Sequence, residues 1–162
     1  RVLFRSDAAA ISEARAITFP TEDGQKAYGY FYPPLNPAFV APSQERPPVR
    51  VLVHGGPTGM TQPGFSKTLL FWTSQGYAVF DVNYRGSFGF GRKYRDALLQ
   101  KWGTLEIQDV KDGLKYLRSE NRIGDHAVNM GERVTFMVTG WLPEHAAVAR
   151  LEMKSRRGSP DA

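Results

Sequence analysis

A short β-branched run that stops abruptly at two glycines is the feature that most constrains the fold of this chain. Residues 49–53 read Val-Arg-Val-Leu-Val, and His54-Gly55-Gly56-Pro57 follows at once. A run of this length and composition is typical of a largely buried strand. A second run, Ala-Val-Phe-Asp-Val at 78–82, leads into a glycine-rich loop at 85–91. The two runs together predict neighbouring strands that each end in a flexible turn.

The segments that follow these strands have helical spacing. Residues 65–75 place Phe65, Leu69 and Trp72 at positions i, i+4 and i+7, which predicts a helix with one apolar stripe. Residues 104–120 predict a second helix with an apolar face and a face expected in solvent; the apolar face holds Ile107, Val110, Leu114 and Leu117, and the solvent face holds Asp109, Asp112 and Lys115. Strand, helix, strand and helix in this order indicate a parallel sheet with right-handed crossovers.

The chain before these units has the alternation of a β-hairpin. Residues 14–32 predict two strands around the turn Glu22-Asp23-Gly24-Gln25, where Gly24 can adopt a positive φ. The proline-rich segment 33–48 is expected to be a surface connection. The predicted fold class is therefore α/β: an incomplete α/β arrangement with an N-terminal β-hairpin followed by parallel β-α-β-α units.

Composition and charge exclude several classes of function. The 162 residues contain no cysteine, which excludes disulfides and thiolate metal sites and favours a cytoplasmic location. Neither a signal peptide nor a membrane span is expected, because residues 1–20 lack a basic region followed by an apolar run and no apolar run has the length of a membrane span. The net charge of +5 is concentrated partly at the two ends, without a basic helix, so nucleic-acid binding is not expected. Neither a metal nor a cofactor is expected.

The glycine pair after the first strand is a candidate site for stabilising negative charge. In parallel sheets ligands bind outside the carboxyl ends of the strands, and both glycine-rich segments lie there. A backbone N–H can bind a developing oxyanion where the chain turns sharply and leaves room for substrate. Taken alone, Gly-Gly-Pro is more typical of a plain turn at a strand end.

Five segments together make residues 28–117 similar to the prolyl oligopeptidase family of serine peptidases, especially its acylaminoacyl-peptidase and dipeptidyl-peptidase branch. Order and spacing both fit the family. The segments are Tyr-Phe-Tyr-Pro-Pro-Leu-Asn-Pro (30–37), Pro-Pro-Val-Arg-Val-Leu-Val-His-Gly-Gly-Pro-Thr (47–58), the stretch from Phe-Trp-Thr-Ser-Gln-Gly-Tyr through Asn-Tyr-Arg-Gly-Ser-Phe-Gly-Phe-Gly-Arg-Lys-Tyr-Arg (71–95), Lys-Trp-Gly (101–103) and Asp-Val-Lys-Asp-Gly-Leu-Lys-Tyr-Leu (109–117).

The resemblance implies an α/β-hydrolase fold and hydrolysis of peptide bonds in short peptides through an acyl-enzyme. It implies that the Gly56 N–H forms half of an oxyanion hole, with His54 and Gly55 beside it. It implies a site wall formed by Asn83, Tyr84, Arg85, Gly86 and Ser87. Arg85 is either a substrate or loop anchor or a salt bridge that holds the loop. A peptide substrate and an N-terminal propeller domain are implied for the parent enzyme.

The nucleophile of such an enzyme is not found in the sequence. An α/β hydrolase needs a Gly-x-Ser-x-Gly elbow, then an acid, then a histidine. No Gly-x-Ser-x-Gly occurs here, and the nearest string, residues 64–68, lacks the last glycine. His126 and His145 have no nucleophile to activate and are expected to be surface residues. No Ser/Asp/His triad can be assembled, so the chain is predicted to be an inactive fragment.

The predicted domain organisation has three parts. Residues 1–12 are expected to be a non-native or disordered lead, because residues 1–6 back-translate into a common sequencing adapter. Residues 13–120 are expected to form a partial α/β-hydrolase domain. Residues 121–162 are expected to be a divergent or frame-shifted tail, partly disordered, with one possible strand at 134–138.

Two other functions fit parts of this pattern. His-Gly-Gly also opens the oxyanion loops of carboxylesterases and lipases, although Pro57 and the Asn-Tyr-Arg-Gly-Ser loop favour the peptidase. A non-catalytic interaction module that kept half the fold is the third reading.

Overall fold

The computed structural model describes residues 11–55 and 59–124. The expectations for residues 1–10, for Gly56 and Pro57, and for the possible strand at 134–138 lie outside the described residues. His126 and His145 lie outside them too.

The described residues form one sheet of four strands with three helices. The strands are β1 (Arg15–Pro20), β2 (Lys26–Tyr32), β3 (Val49–Val53) and β4 (Ala78–Asn83), and the helices are α1 (Lys67–Ser74), α2 (Arg92–Asp96) and α3 (Leu105–Ser119). The predicted hairpin, both later strands and both longer helices are therefore present. The five-residue helix α2 was not predicted, because one turn is too short to show an apolar period.

The sheet has the order β1-β2-β4-β3. β3 and β4 are parallel, as the strand–helix–strand order predicts, and Val53 pairs with Val82. β2 is antiparallel to β4, with Tyr28 opposite Asn83. Because of this direction, the hairpin turn between β1 and β2 lies at the carboxyl end of β4. The turn therefore stands beside the two glycine-rich segments.

The ring of Phe80 on β4 is the centre of the core. It is fully buried and meets the ring of Phe19 edge-on at 5.9 Å between centroids. Glycines lie on both sides of it: a Cβ at Gly29 would come within 2.7 Å of the ring, and a Cβ at Gly113 within 2.5 Å. The missing side chains let β2 and α3 approach the ring directly.

The structure corrects the prediction that Asp109 and Asp112 on α3 lie in solvent. Asp109 is 0% exposed and Asp112 is 5% exposed, whereas only Lys115 remains mainly in solvent. The prediction was wrong because periodicity does not show hydrogen-bond partners, which let a carboxylate be buried. Asp112 accepts a hydrogen bond from the Glu22 N–H at 2.9 Å, so α3 is tied to the hairpin turn.

Among the described helices none is long and apolar enough to span a membrane.

Replacing Gly113 with alanine is expected to destabilise the chain. The added Cβ would press on the Phe80 ring at 2.5 Å and on the Phe19 ring at 3.1 Å. Overpacking of this kind costs about 1–3 kcal/mol, and the better helix propensity of alanine returns at most about 1 kcal/mol. We expect a net loss of about 1–2 kcal/mol in the free energy of unfolding, measured by urea titration.

Gly64→Ala is the matched control for this substitution, because no heavy atom lies within 4 Å of a Cβ there. Equal stability of the Gly113→Ala and Gly64→Ala variants would contradict the close packing of α3 on Phe80.

Candidate active site

His54 lies at the carboxyl end of β3, where it is held by the loop that follows β4. Its ring stacks on the Tyr84 ring at 4.4 Å between centroids and 18° between planes. Its Nε2 lies 2.7 Å from Ser87 Oγ. The Tyr84 hydroxyl donates to the His54 carbonyl oxygen at 3.3 Å. His54, which precedes the first glycine-rich segment, is thus joined to the second segment through Tyr84 and Ser87.

Ser87 does not have the geometry of a nucleophile, although it lies beside a histidine. Its hydroxyl donates to the Tyr84 carbonyl oxygen at 2.7 Å, and the residue is 0% exposed. Since the hydroxyl proton is committed to that carbonyl, Ser87 Oγ accepts its second hydrogen bond from His54 Nε2–H. A nucleophile needs the opposite arrangement, in which the histidine removes the proton from the hydroxyl. Ser87 therefore orients His54.

The chain beyond the glycine pair is fixed to the same wall. The Thr61 N–H donates to Asn83 Oδ1 at 2.8 Å, and Asn83 Nδ2 donates back to the Thr61 carbonyl oxygen at 3.0 Å. The Phe88 N–H donates to the Gly59 carbonyl oxygen at 3.0 Å. The loop from His54 to Thr61 is therefore attached at both ends to the end of β4 and the residues after it.

Asp81 carries a further contact to this loop. Its Oδ2 accepts a hydrogen bond from the Thr61 hydroxyl at 2.5 Å. Burial raises the pKa of Asp81 above its ordinary value, while the Thr61 hydrogen bond works in the opposite direction. The Asp81 side chain therefore holds the loop through Thr61. Among the described residues it makes no hydrogen bond to the His54 ring, which follows the neighbouring strand β3.

Arg85 belongs to the wall, and its side chain is buried and joins three parts of the fold. It is 5% exposed. Its Nε and Nη2 donate to Asp109 Oδ1 at 2.9 and 2.6 Å, and its backbone N–H donates to Asp109 Oδ2 at 2.7 Å. Its Nη1 donates to Asp23 Oδ2 at 2.6 Å. The wall, helix α3 and the hairpin turn therefore meet in one guanidinium group, and the geometry is that of a loop-holding salt bridge.

Burial and hydrogen bonding shift the pKa values of all three members of this cluster. Burial by itself lowers the pKa of Arg85, but the hydrogen bonds to Asp109 and Asp23 outweigh it and raise the pKa above the ordinary value. The hydrogen bond from Thr21, with the one from Arg85, lowers the pKa of Asp23 from 3.8 to about 2. Burial raises the pKa of Asp109, opposed by its hydrogen bonds from Arg85.

Gly86 has a conformation and a contact that only glycine satisfies. Its φ is +121°, and a Cβ there would lie 2.5 Å from Leu98 Cδ2. Its N–H donates to the Tyr94 carbonyl oxygen at 3.0 Å, and the Tyr94 hydroxyl donates to the Asn83 carbonyl oxygen at 2.7 Å. The residues around α2 therefore hold the outer side of the wall.

The structure describes seven of the eight predicted site residues. His54 contacts the wall formed by residues 83–87, Gly55 follows His54 in the chain, and Gly56 is outside the described part of the chain. The contributions of Thr61, Asp109 and Tyr94 were missed, because none lies in a glycine-rich motif.

Within residues 11–55 and 59–124, no group of three or more His, Cys, Asp or Glu side chains could hold a metal ion.

Comparison with known proteins agrees with this arrangement of strands and loops. Residues 63–132 match the sequence model of the prolyl oligopeptidase family. Over this part of its length the chain is similar to that family. It is 35% identical to the acylamino-acid-releasing enzyme of Arabidopsis thaliana over 103 residues, which are 60% of this chain and 12% of the relative. It is 40% identical to dipeptidyl peptidase family member 6 of Caenorhabditis elegans over 70 residues, or 43% and 10% of the two chains.

Solved structures of α/β-hydrolase peptidases have the same fold. A puromycin-hydrolysing peptidase of Mycobacterium tuberculosis matches with a TM-score of 0.72 and 35% identity, over 76% of this chain and 19% of that one. The acylaminoacyl peptidase of Pyrococcus horikoshii matches with a TM-score of 0.60 and 31% identity, over 70% and 18%. The fold is therefore part of an α/β-hydrolase fold, and the chain spans between a tenth and a fifth of the length of these relatives.

Removing the Arg85 guanidinium is expected to be strongly destabilising. Arg85→Leu leaves the Asp109 carboxylate buried without its charged partner, which costs about 3–5 kcal/mol in comparable buried pairs. We expect a loss of that size in the free energy of unfolding by urea titration. Arg95→Leu removes a half-exposed pair with Asp96 and is the control, with a loss of at most about 1 kcal/mol.

A double variant tests whether the unpaired Asp109 carboxylate causes this loss of stability. Arg85→Leu with Asp109→Leu removes both buried charges, so it is expected to be more stable than Arg85→Leu alone. If the double variant is the less stable of the two, the buried carboxylate is not the source of the penalty.

The neutral His54 ring is expected to carry its proton on Nε2. This tautomer donates to Ser87 Oγ at 2.7 Å, whereas the opposite one would rely on the longer contacts of Nδ1 with the Tyr84 hydroxyl at 3.4 Å and with the Gly55 carbonyl oxygen at 3.5 Å. The ¹⁵N chemical shifts of the ring above neutral pH report the tautomer directly. Ser87→Ala is expected to remove the preference; an Nδ1–H tautomer in the unaltered chain would contradict the proton assignment.

Acid is expected to weaken the link between the wall and the hairpin. Because the pKa of Asp23 is lowered to about 2 in the folded chain, the unfolded chain binds more protons between about pH 4 and pH 2, so stability falls as pH falls. The penalty of Asp23→Asn in the free energy of unfolding should therefore be full near pH 6 and shrink below about pH 4. A penalty that stays constant down to about pH 2.5 would contradict the ion pair.

Proposed function

We propose that this chain is the oxyanion-loop part of a serine peptidase that cleaves short peptides through an acyl-enzyme. The single observation that supports this most is the double attachment of the loop from His54 to Thr61, onto the wall of residues 83–87 and the adjoining Phe88. An oxyanion hole is effective only when its N–H groups are held in place before the charge develops. The described contacts on both sides of Gly56 fit that requirement.

The proposed chemical role of the chain follows from this placement. The Gly56 N–H would donate to the oxyanion of the tetrahedral intermediate, and His54 and Gly55 would set the direction of the loop. Asn83, Tyr84, Arg85, Gly86 and Ser87 would form the wall beside the substrate. Two of the relatives above are named for hydrolysing puromycin and for releasing acylamino acids, which favours an amide bond over an ester.

The nucleophile, acid and base would come from outside these 162 residues, because no Gly-x-Ser-x-Gly occurs in the sequence. We propose that the 162 residues by themselves do not form an acyl-enzyme. Incubation with a fluorophosphonate probe for serine hydrolases is expected to leave the chain unlabelled, while a complete peptidase of the family is labelled under the same conditions. Stoichiometric labelling of the chain would overturn this part of the proposal.

A chimera tests whether the loop works in catalysis. Residues 28–117 replace the matching segment of the Mycobacterium tuberculosis puromycin-hydrolysing peptidase, and hydrolysis of an aminoacyl amide and of a simple ester is measured. We expect the chimera to cleave the amide. Gly56→Pro, which removes the N–H, is expected to lower kcat by about 10²–10³-fold.

Gly64→Ala in the same chimera is the control, since its Cβ has free space. An active Gly56→Pro chimera would remove Gly56 from the oxyanion hole. A folded chimera that cleaves only the ester would favour an esterase instead of a peptidase.

A further inference from the structure

A large cleft opens on the outer side of the wall, away from His54. It has a volume of about 750 Å³ and is bordered by the hairpin turn, by α2 and by the residues that lead to α3. Arg85 contributes to its lining, so the cleft and the candidate oxyanion loop share the wall of residues 83–87. We call it the lysine cleft, after Lys26, Lys93 and Lys101, which all line it.

The charges around the lysine cleft are not balanced. Within the described ranges, no carboxylate lies at ion-pair distance from the ammonium groups of Lys26, Lys93 or Lys101. The two acidic residues in the lining already have cationic partners: Asp23 is paired with Arg85 and Asp96 with Arg95. The cleft therefore has three exposed ammonium groups available to an anionic ligand.

Three aromatic side chains line the same cleft as these lysines. The rings of Tyr28 and Phe90 stack at 4.5 Å between centroids with 6° between planes. Tyr94 adjoins both, at 5.3 and 5.1 Å. All three side chains are half-buried, so each presents part of a ring to the cleft. Aromatic rings that are already packed lose little conformational freedom when a ligand covers them.

These features select one kind of ligand. Ligand pockets typically measure about 300–1,000 Å³, so the cleft has room for a few amino-acid residues. Separate ammonium groups around a ring surface suit carboxylates that flank an apolar side chain. α2 carries Arg92, Lys93 and Arg95, but a helix of five residues is too short to follow a nucleic-acid backbone. The cleft lies next to the site wall, since Arg85 is part of its lining.

We propose that the lysine cleft binds an acidic peptide segment, with carboxylates on Lys26, Lys93 and Lys101 and an apolar side chain on the Tyr28 and Phe90 rings. This inference rests on the proposed peptidase function for the role of the peptide as substrate. Binding itself involves no bond cleavage, so it is measured on the 162-residue chain. The chimera assay tests hydrolysis separately, and the two results are independent.

The experiment compares three capped tripeptides of the same length by calorimetry and by ¹H–¹⁵N NMR. They are acetyl-Glu-Glu-Phe-amide, acetyl-Gln-Gln-Phe-amide and acetyl-Lys-Lys-Phe-amide. We expect the acidic peptide to bind about tenfold more tightly than the Gln peptide at about 50 mM salt, with the difference lost at about 500 mM because salt screens exposed charges. The amide shifts should be concentrated at residues 23–28 and 90–101.

Two triple variants with the same loss of charge locate the site. Lys26→Gln with Lys93→Gln and Lys101→Gln is expected to abolish the preference for the acidic peptide. Arg15→Gln with Lys67→Gln and Lys111→Gln removes three cations elsewhere on the surface and is expected to keep it. Circular dichroism spectra of both variants establish that they are folded.

Three results would overturn the proposal. The first is equal affinity for the acidic and Gln peptides. The second is loss of the preference in both triple variants, which would mean attraction to net charge alone. The third is equally tight binding of inorganic phosphate or of a short oligonucleotide, which would mean a general anion site.

Discussion

The buried ion pair between Arg85 and Asp109 is the interaction on which the rest of the site depends. A guanidinium and a carboxylate that are both withdrawn from water must satisfy each other almost completely. Here Asp109 receives the Arg85 Nε, Nη2 and backbone N–H, and the remaining Nη1 reaches Asp23. The wall after β4 is thereby fixed to α3 and to the hairpin turn at once. The position of the wall relative to the sheet is therefore fixed by α3 and the hairpin turn together.

The candidate oxyanion loop depends on that wall. His54 rests on Tyr84 and Ser87, and Thr61 is bound to Asn83. Neither contact is possible unless residues 83–87 hold their shape, which requires the close approach of Gly86 to Leu98. One side of the wall supports the loop and the other side borders the lysine cleft. In the proposed peptidase, this one segment would relate oxyanion binding to the recognition of a more distant part of the peptide.

The sequence predicted most of the elements and the general place of the site. β3 and β4 were visible as β-branched runs, and the longer helices α1 and α3 were visible from their apolar periods. The pairing of β2 with β4 could not be predicted, because alternation identifies a strand without naming its neighbour. The burial of Asp109 and Asp112 could not be predicted either. A helical period marks the apolar face, and it gives no sign that Arg85 and the Glu22 N–H lie within hydrogen-bond distance of those carboxylates.

What the sequence by itself determined is the family pattern: a strand ending in His54-Gly55-Gly56-Pro57, a second strand ending in Asn83-Tyr84-Arg85-Gly86-Ser87, and no Gly-x-Ser-x-Gly. These are local patterns, and residues adjacent in the chain are enough to define them. The tertiary structure alone decided that Arg85 is a structural ion pair, that Ser87 orients His54, and that three lysines surround one cleft. Each of those facts depends on distances between residues that are far apart in sequence, and only the folded sheet brings them together.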